Sequence, residues 1–263
     1  MDYNQEVSTT NWHLILTSWP MIRRLSNKVK KFWAELALLS AEMIVVVLLF
    51  LISLWGFVFI ARNVFVLKNE VFDNQVFEML GSHVSDRNNA IMLFFTFLGT
   101  HKFLIPANLV LMFYFLFLRK HRWYSIKVPT IALTSVGLMF FLKKVFGRVR
   151  PEIPLLKEAS GLSFPSGHAF MSVTFYGLLI YIVWQTVKIS WLRWMLAMLL
   201  LLLIFVIGLT RVYLRVHYPS DVLAGFATGF IWLVISIYTL RRIERYTNRK
   251  IDPVVRSQSV VTE

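Results

Sequence analysis

Six stretches of this 263-residue chain are too long and too apolar for the interior of a water-soluble domain of its size. They run roughly over residues 36–60, 103–118, 128–142, 168–184, 191–209 and 222–240. A bilayer's hydrocarbon core takes about 20 helical residues to cross. No water reaches the backbone there, so each crossing segment must satisfy its own N–H and C=O groups as a helix. The pattern predicts an all-α bundle of six transmembrane helices. The second and third runs are short and are expected to extend into their polar flanks. Residues 1–35 then form a cytoplasmic or interfacial N-terminal segment, 36–240 the membrane domain and 241–263 a cytoplasmic tail.

Charge supplies the orientation. With the N-terminus inside, 17 Lys and Arg residues fall in inner segments and 11 in outer ones, so both termini are expected in the cytoplasm. The formal net charge of +14 lies between apolar runs, not along a basic face, and so points to anionic lipid headgroups and away from nucleic acid. The absence of cysteine excludes disulfides, thiolate catalysis and Cys-ligated metals. About 35 residues precede the first apolar run, which is therefore expected to stay as an anchor and not be cleaved as a signal peptide.

Residues 12–33 mix tryptophans with Arg23, Arg24, Lys28, Lys30 and Lys31, as a surface-lying approach to an anionic leaflet would. In the first outer loop, Phe72, Val76, Met79 and Leu80 make one apolar helical stripe, which suits either a helix packed on the bundle or a lid on the membrane surface. Gly225 and Gly229 form a small-xxx-small pair expected to serve helix packing, within the bundle in preference to a dimer.

Three motifs sit at the ends of these runs: Lys143 with Arg150-Pro151, then Pro165-Ser166-Gly167-His168, then Arg211 with His217 and Asp221. A six-span topology places all of them at the outer surface; five spans would divide them between the two faces. Phosphoryl transfer needs cations around the nonbridging oxygens, an in-line nucleophile and a proton for the leaving oxygen. Arg150 and Arg211 can each offer two N–H donors, and Lys143 a point charge. A seven-residue spacing puts Lys143 and Arg150 on one side of a helix, if the helix passes Gly147 and Pro151. Alone, both read as interface residues that snorkel, as Lys144 and Arg148 do. Their downstream partners favour phosphate.

Pro165-Ser166-Gly167 before an apolar run reads as a turn presenting free N–H groups at a helix start, with Ser166 as cap or phosphate donor. The four-residue spacing of His217 and Asp221 across Pro219 lets the carboxylate reach the imidazole when the turn is helical, leaving the other ring nitrogen free to attack. Two histidines and an aspartate could instead bind a metal, but the three cations beside them favour direct phosphate binding. His13, His83, His101 and His121 have no matching partner set, and Glu42 marks a membrane boundary.

These residues resemble the type 2 phosphatidic acid phosphatase superfamily, whose signature is Lys-x6-Arg-Pro, Pro-Ser-Gly-His and Ser-Arg-x5-His-x3-Asp. One departure is Thr210 in place of the usual Ser. The resemblance implies a metal-independent enzyme with no cofactor, in which His217 forms a phosphohistidine, Asp221 orients it and His168 protonates the leaving group. Lys143, Arg150, Arg211, Ser166 and the Gly167 backbone would hold the phosphoryl oxygens. Implied substrates are membrane lipid phosphates or pyrophosphates, such as undecaprenyl pyrophosphate, phosphatidylglycerophosphate, phosphatidic acid or lipid A phosphates. A bacterial inner membrane, an outward-facing site and a monomer or homodimer are expected. The alternatives are a phosphotransferase and, more remotely, a non-catalytic lipid-binding or transport protein.

Overall fold

The computed structural model describes residues 26, 27, 30, 41–152, 154, 155 and 160–251. The chain falls into two units, residues 1–49 and 50–263. The readings of residues 12–33 and of the tail beyond 251 lie almost wholly outside the described residues. Among those described, every regular element is a helix. In order they are α1 (Ala41–Ala61), α2 (Val71–Gly81), α3 (Asp86–Leu98), α4 (His101–Phe113), α5 (Arg122–Phe146), α6 (Gly167–Thr186), α7 (Ser190–Tyr213) and α8 (Pro219–Tyr246). Wider π-helical turns extend α1, α4 and α8 at their C-terminal ends.

Among the described residues, six helical segments are long and apolar enough to span a bilayer: Met43–Val66, His101–Leu118, Arg122–Phe146, Gly167–Thr186, Ser190–Tyr213 and Pro219–Arg249. The second and third do extend into their polar flanks, because Arg122, Lys127 and His101 are helix formers or caps that the apolar window excluded. Two shorter helices lie between the first and second spans. The first is α2, whose buried face is Asp73, Val76, Phe77 and Leu80. Phe72 and Met79, read above as part of the stripe, are exposed instead. Val76, Phe77 and Leu80 pack on Ala169, Val212 and Val222, so α2 is a helix held on the bundle. The second, α3, has no counterpart in the sequence reading; it starts where Ser85 Oγ accepts the Asn88 N–H at 3.3 Å.

Helix α6 lies against α5, α7 and α8. Its contact with α8 is backbone on backbone. A Cβ on Gly225 would come within 2.7 Å of the Ser166 carbonyl oxygen, and one on Gly229 within 2.8 Å of that of Phe170. The glycine pair thus serves packing within the bundle, and it sets the start of α6 against the start of α8. At the other end of these helices, Lys127 Nζ donates to Glu244 at 2.6 Å, a largely buried ion pair joining α5 to α8.

Overpacking a close helix contact costs about 1–3 kcal/mol. Gly225→Ala is therefore expected to lower stability by that amount. Gly137→Ala, whose new Cβ would meet nothing within 4 Å, should be neutral or stabilising. Thermal unfolding of the two variants in detergent checks this.

Candidate active site

The last turn of α5, the loop after it, the first turns of α6 and α8 and the last turn of α7 meet at one end of the bundle. Helix α5 stops because Gly147 takes a left-handed conformation at φ 61°, which only glycine adopts without strain. Lys143 and Arg150 therefore do not share a helical face, because the helix does not pass Gly147 as their spacing required. Lys143 stays on the last turn, where its Nζ donates to the carbonyls of Leu162 and, at 3.3 Å, Ser163. Arg150 reaches in from the loop. Its Nε donates to Gly161 O at 3.0 Å and its Nη1 to Val216 O at 2.6 Å and to His217 Nε2 at 3.1 Å.

His217 is 1% exposed and sits between α7 and α8. Pro219 opens α8, and the third residue of that helix, Asp221, turns its Oδ2 back onto the Tyr218 N–H at 3.0 Å. The same oxygen lies 3.5 Å from His217 Nδ1. A carboxylate beside Nδ1 and a guanidinium beside Nε2 assign the ring proton to Nδ1, leaving the Nε2 lone pair facing Arg150. Burial, opposed by the hydrogen bond to Asp221 and reinforced by the Arg150 charge, pushes the His217 pKa down to about 3. At neutral pH the ring is uncharged.

Sequence reasoning missed three residues. Ser163, fully buried, donates its hydroxyl to Asp221 Oδ2 and sits 3.3 Å from His217 Nδ1. Arg148 is not a snorkelling side chain. Its Nη1 donates to Asp221 Oδ1 at 2.8 Å and to Ser220 Oγ at 2.7 Å, its Nη2 donates to Asp73 Oδ2 at 2.9 Å, and its plane lies 3.8 Å over the Tyr218 ring. Burial works against its charge, but the Asp221 and Asp73 carboxylates outweigh it and raise its pKa. Asp73 is the third. The available signal was an acid on the apolar face of an amphipathic helix; Ser163 had no signal at all. Lys144 does remain exposed.

The other half of the site has unmet hydrogen-bonding capacity. Ser166 Oγ, His168 Nε2 and Arg211 Nε are buried polar atoms with no partner among the described residues. Ser166 holds the cap position of α6, yet its hydroxyl does not cap the helix. Gly167 follows it, and a Cβ there would lie 3.8 Å from Lys143 Cε. Arg211 Nη1 is fixed by Thr96 Oγ1 of α3 at 2.5 Å. The Ser166 N–H donates to the Asp221 carbonyl at 2.9 Å, which ties the start of α6 to the turn that carries His217 and Asp221. Among the described residues, no group of three His, Cys, Asp or Glu side chains is placed to hold a metal ion. Buried donors without acceptors cost stability unless a ligand satisfies them. A phosphoryl group has the size, charge and acceptor count to do so.

Residues 124–245 match the family model of the PAP2 superfamily. The chain is 29% identical over 162 residues to a phosphatidylglycerophosphatase B of Bacillus subtilis (strain 168), covering 61% of this chain and 79% of that protein. It is 30% identical over 119 residues to a lipid A 1-phosphatase of Rhizobium etli, covering 41% of this chain and 46% of that one. A crystal structure of a transmembrane PAP2 type phosphatidylglycerolphosphate phosphatase from Bacillus subtilis superposes with a TM-score of 0.67 at 25% identity, over 75% of this chain and 98% of that one.

Removing the cation between two buried carboxylates should cost about 3–5 kcal/mol. Arg148→Leu is expected to lower stability by that amount and Lys144→Leu by less than about 0.5 kcal/mol, measured by unfolding in detergent. Folding depresses the His217 pKa, so between pH 6.5 and about 3 the unfolded chain holds a proton that the folded chain lacks. The stability this residue contributes is complete above that window and lost as pH falls through it. Between pH 7 and 5 the wild type should therefore lose about 2 kcal/mol more than His217→Gln does.

Proposed function

We propose that this chain is a membrane lipid phosphatase of the PAP2 superfamily that works without a metal ion, through a phosphohistidine on His217, at the outer face of the membrane. The observation that carries this reading is the geometry of His217. Asp221 lies behind Nδ1, and Nε2 meets Arg150 at the end of the bundle where Ser166 Oγ and Arg211 Nε have no partner among the described residues.

Substrate phosphate enters among Lys143, Arg150, Arg211, Ser166 Oγ and the N–H groups that open α6. Its oxygens displace His217 as the acceptor for Arg150 Nη1 and free the Nε2 lone pair. Nε2 attacks phosphorus and the bond to the lipid oxygen breaks, while His168, protonated beside the bound phosphate anion, gives that oxygen its proton and becomes neutral. Positive charge arising on the imidazole is held by Asp221, the role a buried carboxylate behind a histidine performs well. His168 then takes a proton from water. The oxygen so activated attacks phosphorus, the P–N bond breaks, and phosphate leaves with His217 neutral again. Cations and oriented N–H groups stabilise the equatorial oxygens in both steps.

Support for the outer face comes from the Lys and Arg asymmetry together with the position of the site at the end of α5 and the start of α6. The named relatives act on phosphatidylglycerophosphate and lipid A phosphate, so the proposed substrates are phosphate monoesters or diphosphates of membrane lipids, in a bacterial inner membrane.

Purified protein assayed in detergent against a panel of lipid phosphates tests the reading. His217→Ala should fold and lose at least about a thousandfold in kcat, and activity should survive excess EDTA. Acid-labile, base-stable phosphate should be trapped on the wild type alone. Turnover by His217→Ala at the wild-type rate, or loss in EDTA restored by a divalent ion, would overturn it. Phosphate recovered on a second lipid instead of in solution would make the enzyme a transferase.

A further inference from the structure

Asp73 has no part in the chemistry above. It belongs to α2, between the first two spans, and is 1% exposed. Such a carboxylate is stable only when its charge and acceptor sites are matched. Its Oδ1 accepts the Ser220 backbone N–H at 2.8 Å, and its Oδ2 accepts Ser220 Oγ–H at 2.7 Å and Arg148 Nη2–H at 2.9 Å. Ser220 is the residue before Asp221 in the first turn of α8. Arg148 continues to Asp221 Oδ1 at 2.8 Å. The opposite oxygen of Asp221 faces His217 Nδ1.

Through these bonds Asp73 controls two things. It ties the first turn of α8 to α2, fixing where the Asp221 backbone stands. It also takes one arm of Arg148, so that the guanidinium is divided between two anions. Without Asp73, Arg148 would be left with Asp221 as its sole carboxylate partner. The Asp221 charge would then be drawn toward the guanidinium and away from the imidazole, just where positive charge must grow during attack. We propose that Asp73 is a positioning residue of the phosphatase, holding Arg148 and the start of α8 so that Asp221 stays directed at His217. This rests on the reading of His217 as nucleophile.

Helix α2 keeps an apolar anchor of its own in Val76, Phe77 and Leu80, so a polar isostere at position 73 leaves its packing in place. In Asp73→Asn the amide oxygen can still accept the Ser220 N–H, but the neutral group no longer balances Arg148. Asp73 touches no substrate atom, so its loss should act on the chemical step. Expected for Asp73→Asn is a kcat lower by about 10- to 100-fold with KM within about threefold of wild type. In single-turnover labelling, the rate constant for phosphoenzyme formation should fall by the same factor, while the number of labelled sites per folded protein stays the same. A purely structural role would do the reverse, lowering the labelled fraction and sparing the rate constant. In an Arg148→Gln background the further loss should be under about threefold, because the two act as a unit.

A wild-type rate constant in folded Asp73→Asn, or a loss carried by KM alone, would overturn the proposal. Should that variant fail to fold, Ser220→Ala removes one hydroxyl of the same network and is expected to slow labelling by about three- to tenfold; an unchanged rate there has the same consequence. Activity in His217→Ala would remove the underlying reading. An inactive His217→Ala beside a fully active Asp73→Asn would remove this inference alone.

Discussion

Two carboxylates, Asp73 and Asp221, are buried at one end of a membrane-spanning bundle, and the guanidinium of Arg148 between them makes that arrangement possible. Taking a charge out of water costs several kcal/mol unless a partner with good geometry compensates. Arg148 does so in a fork, one nitrogen to each carboxylate, with Tyr218 beneath its plane. The loop after α5, the helix between the first two spans and the first turn of α8 are thereby bound to one another. That turn carries Asp221, and Asp221 orients His217.

The site divides into two halves with opposite hydrogen-bond balance. Behind the imidazole, Asp73, Arg148, Ser163, Ser220 and Asp221 bond to one another. Toward the start of α6 and the end of α7, Ser166 Oγ, His168 Nε2 and Arg211 Nε are buried without partners among the described residues. A closed network on one side holds the imidazole still, and unsatisfied donors on the other can be met by an anion. Arg150 stands at the boundary, giving one N–H to His217 Nε2. It can transfer that bond to a phosphoryl oxygen without leaving its carbonyl partners at Gly161 and Val216.

Much of the fold was legible because hydropathy and length are local properties. Six apolar runs became six spans, and the Gly225 and Gly229 pair marked a close helix contact. Local geometry also brought His217 to Asp221, since Pro219 starts a helix and four residues complete its first turn. Other readings failed where a contact spans a long stretch of sequence. Phe72 and Met79 looked like core, yet Asp73 is the buried residue, because its partners Arg148 and Ser220 lie 75 and 147 positions away. Lys143 and Arg150 looked like neighbours on a helix, until Gly147 ended it. Helix α3 has too little hydropathy contrast to announce itself, although its Thr96 holds Arg211.

By itself, then, the sequence determined the number of spans, the order of the motif residues and the His217–Asp221 pair, all set by hydropathy, spacing and the propensities of single turns. Only the tertiary structure decided the division of labour among the arginines. Arg148 balances the buried carboxylates, Arg150 faces His217 Nε2, and Arg211 is braced by Thr96 of α3. The three carry the same guanidinium, and which anion each one meets depends on how helices distant in the chain pack together.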